Sequence, residues 1–162
     1  MPRRLVIALL VVLAALSFAV PANAKTAPKQ QNFCAKNTAA RKVIVRIATQ
    51  RLYLCDKKRE VFRSRITTGA AGDDTPKGTF SIQRRARNEI LHPAAGGAFA
   101  VDYWVAFIGN SYGFHNAPWQ TIPFGEPALT RTGGSHGCIR MPHASVAVLY
   151  NWVRVGTPVV IS

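Results

Sequence analysis

Between residues 42 and 66 apolar and polar positions alternate with a period of two. In KVIVRIATQRLYLC, Val43, Val45 and Ile47 share one face, Thr49-Gln50 supplies a turn, and Leu52 and Leu54 resume the alternation, which predicts a β-hairpin. EVFRSRIT continues it, with Val61, Arg63 and Arg65 opposite Phe62, Ser64 and Ile66, so a third antiparallel strand is expected by residue 67. TTGAAGDDTPKGTF concentrates glycine, aspartate and proline and reads as a turn-rich loop. TFSIQR and AFAVDYWVAFI read as strands, the second apolar enough to be buried on both faces. YGFHNAPW follows as a short strand that ends near His115, and residues 118–134, without a helical stripe, are expected to be one long loop. Beyond Pro142, the residues Val146, Leu149, Tyr150 and Val153 fall at helical spacing with Gly156 as the stop, and TPVVIS reads as a closing strand. The expected fold is mainly β, sandwich- or barrel-like, with one short helix after Cys138.

The start of the chain has a different pattern. Arg3 and Arg4 precede an apolar run from Leu5 to Val20 and the small-residue stretch PANA, so residues 1–24 read as a secretory signal peptide. The run falls short of the ~20 residues a spanning helix needs, and no membrane span is expected after cleavage. Residues 25–41 are polar and aperiodic, an expected tether ordered around Cys34, and residues 42–162 suffice for one domain, expected to be a monomer. Removing Arg3 and Arg4 leaves 19 of the 21 lysines and arginines against all seven acids, +12 where the full chain has +14. Such a balance favours anionic envelope polymers as partners. Nucleic acid is disfavoured, because the aromatics are not interleaved with the basic runs CDKKRE and QRRAR and no nucleic-acid-binding motif occurs.

Export to an oxidising space changes the reading of the three cysteines, Cys34, Cys55 and Cys138. An odd count leaves one thiol over. A Cys34–Cys55 disulfide would pin the N-terminal segment to the first hairpin and leave Cys138 free. Gly137 before it, Arg140 two residues on and a helix starting nearby are features that would stabilise a thiolate and lower its pKa. A cysteine nucleophile also needs a base. His136 shares a face with Cys138 if the segment is extended, whereas His115 sits at a strand end from which the fold can bring it opposite. His92 and His143 read as surface residues. Zinc on His115, His136 and Cys138 is disfavoured because no acidic ligand or C-x-x-C pair completes a site, and no other cofactor is implied.

SHGCIRM at 135–141, together with FHNAPW at 114–119, TTG at 67–69 and TPKGTFSI at 75–82, resembles the L,D-transpeptidase catalytic domain family, the YkuD-like enzymes that cross-link bacterial peptidoglycan. The resemblance runs from about Lys42 to Ser162. It implies that Cys138 is the nucleophile, attacking a stem tetrapeptide at its third residue and expelling the terminal D-alanine. It implies that His115 is the general base, oriented by the main-chain carbonyl of Asn116. It further implies an oxyanion hole from the N–H groups of His136, Gly137 and Cys138, worth about 3 kcal/mol per donor. Arg140 would hold a substrate carboxylate, and Ser135 with His136 would shape the pocket. The acyl group would pass to an amine, in transpeptidation, or to water, in an L,D-carboxypeptidase. A wall-binding module without activity is the non-enzymatic alternative. One departure from the family pattern is the long stretch between His115 and Ser135, with its excess in QTIPFGEPALTRTGG, which bears on acceptor or donor preference. TPKGTF reads as a turn into a strand, without a chemical role.

Overall fold

The computed structural model describes residues 31–94 and 96–162; the expected signal peptide and the first part of the expected tether lie outside the described residues. β1 (Lys42–Arg46) and β2 (Arg51–Asp56) form the expected hairpin, joined by a single 3-10 turn and by Gln50, which takes a left-handed conformation at φ 51°. β3 (Arg59–Arg65) adds antiparallel to β2. The closing strand β9 (Pro158–Ile161) inserts parallel to β1, and β4 (Gly78–Ser81) adds antiparallel to β9, giving a five-stranded sheet in the order β3-β2-β1-β9-β4.

A second sheet of four strands is ordered β5-β6-β7-β8, from β5 (Arg84–Leu91), β6 (Phe99–Ile108), β7 (Tyr112–Asn116) and β8 (Ile139–Met141). β5 through β7 run antiparallel and β8 runs parallel to β7. Val43, Val45, Leu52 and Leu54 from the first sheet meet Val105, Phe107, Phe114 and Ile139 from the second, each fully buried. Burying such side chains stabilises the fold by roughly 1.5–3 kcal/mol apiece. The fold is mainly β, built on two sheets, as the pattern of alternation requires.

Helix α2 (His143–Trp152) begins directly after Pro142 and sets Val146 and Leu149 into the core, as their spacing predicts; it ends before Gly156, at Val153. A second helix corrects the expected loop over 118–134. There α1 (Pro127–Gly133) forms a short helix with Pro127 in its first turn, where the missing N–H costs nothing. It buries only Thr130, so it carries no apolar stripe for periodicity to reveal.

The described part of the tether, residues 31–41, lies against β2 and β3. Cys34 and Cys55, both fully buried, form a disulfide with Cα atoms 5.4 Å apart. The Phe33 ring lies 4.7 Å from that of Tyr53, and the Asn37 amide donates to the carbonyls of Ala39 and Lys57. Order around Cys34 therefore extends through Asn37.

Candidate active site

The parallel pairing of β7 with β8 places His115 opposite Arg140 and Phe114 opposite Ile139. Side chains two residues apart on a strand face the same way. Gly113 and His115 thus form one row and Cys138 and Arg140 the next. All of His115, Cys138, Ser135, His136 and Arg140 line one cleft of about 960 Å³. Its opposite wall comes from Arg84, Glu89 and Ile90 on β5, the His92–Ala94 turn, Phe99 and Trp119.

His115 is only 3 % exposed. Its Nδ1 lies 2.7 Å from the main-chain oxygen of Asn116. A carbonyl only accepts, so Nδ1 carries the hydrogen and Nε2 is left as a base. The rings of Trp104 and Trp119 lie 6.0 and 5.9 Å from the imidazole, the second nearly parallel to it. Burial among these groups lowers the pKa of His115 to about 4; the Asn116 hydrogen bond opposes the shift and the Arg140 charge adds to it.

Cys138 is free and half-buried. Its Sγ lies 3.6 Å from the Ser111 carbonyl oxygen. Sequence reasoning expected a lowered thiol pKa, and the structure reverses this. Desolvation raises it, outweighing the main-chain hydrogen bond of Gly113 and the Arg140 charge, which both favour thiolate. The helix expected close to the thiol begins only after β8, at His143. Both shifts favour the neutral forms, a thiol and an imidazole lining the same cleft.

The loop that carries Cys138 is fixed by hydroxyls. Ser135 Oγ donates to the Cys138 carbonyl and accepts from the Gly137 N–H at 3.0 Å. Of the three N–H groups expected in an oxyanion hole, that of Gly137 is thus already engaged. Gly137 has φ 103°, and a Cβ there would fall 2.4 Å from Tyr112 Cε1, so only glycine fits. The main chains of Ser135 and Arg140 pair with Thr68, Ala70 and Thr67, tying the loop to residues 67–70.

Thr75, in the stretch read as a plain turn, has a second job. Its buried hydroxyl accepts from the Gly69 N–H at 2.9 Å and donates to the Gly137 carbonyl at 2.8 Å. The threonine of TPKG was the available signal, a lone hydroxyl beside a proline that already accounted for the turn. Asp102 was missed as well, although it interrupts an apolar strand; it accepts from Asn116 Nδ2 at 2.9 Å and pairs with His143 at 3.2 Å. His143, and His92 on the cleft rim, are exposed as expected. Arg140 is half-buried, its pKa lowered by desolvation, and no acidic side chain among the described residues pairs with it. Among the described residues no three His, Cys, Asp or Glu side chains cluster as metal ligands, and no helix is long and apolar enough to cross a membrane.

Residues 40–161 match the family model of the L,D-transpeptidase catalytic domain. The YkuD protein of Bacillus subtilis is 32 % identical over 120 residues, 74 % of this chain and 65 % of that protein. YciB of the same organism is 29 % identical over 125 residues, 73 % of this chain and 63 % of its own length. The chain thus spans less than two thirds of these relatives. Among solved structures, the catalytic domain from the Enterococcus faecium L,D-transpeptidase superposes with a TM-score of 0.66 at 26 % identity, covering 75 % of this chain and 96 % of that one. A carbamoyl enzyme formed with avibactam superposes at 0.70, with 25 % identity over 76 % of this chain and 49 % of the other.

Proposed function

The chain belongs to the L,D-transpeptidase catalytic domain family, and from that premise we propose that it is an exported cysteine acyltransferase acting on peptidoglycan stem peptides. The observation that carries this reading is the shared cleft of Cys138 and His115, with the imidazole held as the Nδ1–H tautomer. In the first step the Cys138 thiol yields its proton to His115 Nε2 as sulfur attacks the carbonyl of the third stem residue. The tetrahedral oxygen draws on the His136 and Cys138 N–H groups, Gly137's being committed to Ser135. Collapse breaks the peptide bond, and the departing D-alanine amine takes the proton back from imidazolium. The thioester then passes to an amine, regenerating the thiol through the same base. Arg140, which no acidic side chain pairs with among the described residues, would hold a stem carboxylate.

Because burial keeps the resting pair neutral, the thiol does not ionise ahead of substrate. Proton transfer accompanies attack, and the free thiol is guarded against adventitious oxidation, which follows thiolate character. The Cys34–Cys55 disulfide is compatible with an oxidising compartment. Mass spectrometry of the protein with a carbapenem or avibactam tests the assignment. One covalent adduct is expected on wild type and none on Cys138→Ala; an equal adduct on both defeats it. Muropeptide profiles from purified sacculi, with and without added amine acceptor, separate transpeptidation from hydrolysis.

Retention on anionic wall polymer is supported by a row on the five-stranded sheet, where Arg46, Arg51 and Arg65 stand directly opposite one another. Arg51 donates to the carbonyls of Thr49, Gln50 and Gly125, whereas Arg65 is exposed; like charges so placed repel, and a polyanion at Arg65 would ease that repulsion. The expected result is sacculus binding that falls steeply with salt and is weakened in Arg65→Ser; salt-independent binding would exclude this role.

A further inference from the structure

The imidazole of His115 depends on one main-chain oxygen, that of Asn116, and the surroundings of that residue are unusual for a strand. After a bulge between Ala106 and Ile108, β6 and β7 pair in regular register from Ala106 opposite Gly113 to Trp104 opposite His115. One step further, Asn116 would face Tyr103, but the β6–β7 pairing stops at His115, while on its other side Asn116 pairs with Met141 of β8. Instead the side-chain oxygen of Asn116 accepts both the Tyr103 N–H, at 3.2 Å, and the Asp102 N–H, at 2.9 Å. The main-chain carbonyl is thereby left for His115 Nδ1.

On its other side Asp102 lies across from Asn88 of β5, in a register that continues unshifted. β5 pairs with β6 at Arg87 with Tyr103 and again at Glu89 with Val101, passing over Asp102 at Asn88, whose φ is 54°. Asp102 meets Asn116 through its side chain as well as its N–H: its Oδ2 accepts from Asn116 Nδ2 at 2.9 Å and from His143 Nε2 at 3.2 Å. Asn116 is 3 % exposed, so its carboxamide has these groups in place of water.

We propose that Asn116 and Asp102 are positioning residues: the Asn116 side chain substitutes for a strand, and Asp102 holds it in that role so that the Asn116 carbonyl stays on His115. The proposal rests on His115 being the base. Its own readout is the tautomer of His115, which does not require turnover.

The experiment compares wild type, Asn116→Ala, Asp102→Ala and Asp102→Asn by long-range proton–nitrogen NMR of histidine-labelled protein and by the rate of carbapenem acylation. Wild type should show His115 protonated at Nδ1. Asn116→Ala should mix the tautomers and slow acylation at least tenfold at saturating carbapenem, with the half-saturating concentration changed less than threefold. Asp102→Ala, at a half-exposed side chain, tests the idea without a buried hole. It should slow acylation about three- to tenfold, and Asp102→Asn, which retains an acceptor oxygen, should recover most of that loss. If Asp102→Ala keeps the wild-type tautomer and a rate within twofold, the proposal fails. If wild type shows the tautomer but takes up no carbapenem, it is the enzymatic reading that fails.

Discussion

Acidification should unfold this protein through His115. The buried ring has a pKa of about 4, against 6.5 when free. In the unfolded chain it takes up a proton near 6.5, so below that pH the unfolded state binds more protons and stability falls with pH. The loss begins near pH 6.5, deepens as pH drops through the folded value and is complete only below it. At about 1.4 kcal/mol per pH unit the full gap is worth roughly 3 kcal/mol, of which about 1 kcal/mol is gone by pH 5.5. The assay is urea unfolding of wild type and His115→Gln at pH 7, 5.5 and 4. Carboxylates titrate in both proteins, so the difference isolates the imidazole as far as distant sites behave independently. Wild type should lose about 3 kcal/mol more than the variant between pH 7 and 4, in proportion to the gap. Parallel pH profiles would refute the buried neutral imidazole, and with it the thiol–imidazole resting state.

Alkylation of Cys138 by iodoacetamide should be slow at neutral pH and climb only in the alkaline range, because burial raises the thiol pKa; a plateau near neutrality would instead reveal a thiolate–imidazolium pair. Replacing Cys34 and Cys55 together by alanine should lower unfolding free energy in urea by about 3 kcal/mol, the loop-closure value for residues 21 apart, and a loss below about 1 kcal/mol would show the pin to be dispensable. Gly137→Ala sets a methyl against Tyr112 and should cut acylation at least tenfold; an unchanged rate would mean the loop has another conformation. Thr75→Val removes both hydrogen bonds between residues 69 and 137, so a stability loss of about 1–3 kcal/mol is expected in thermal melts, with slower acylation.

The elements legible in the sequence are those whose burial is one-sided. β1, β2 and α2 place apolar residues at every second position or along one helical face, and the core later uses those same residues. β5 is not legible: RRARNEIL has no buried residue and lies at the sheet edge, and its arginines read as a basic run. β8 is three residues long and is held by β7 on one side and by Thr67 at Arg140 on the other, which no local pattern can announce. At the site, the chemistry-bearing residues His115 and Cys138 stand out by type. Thr75 and Asp102 do not, because each works through another residue's main chain or side chain. The thiol pKa is not legible for a related reason: charge neighbours can be read from a sequence, but the burial that outweighs them comes from packing against Val101, Trp104 and Ala106 of β6.

One feature of the topology bears on how such a chain is synthesised. β9 is an inner strand, between β1 and β4, yet it is made after every other element of the described residues. A nascent chain ending at Gly156 would expose β1 and β4 as unpaired edges and lack the core side chains Val159 and Ile161. Nucleation that waits for contacts this distant in sequence is slow. The first sheet cannot close until β9 has been made, so a product truncated before Pro158 would be marked by open edges for proteolysis, and only chains that include β9 would complete the fold that brings thiol and imidazole together.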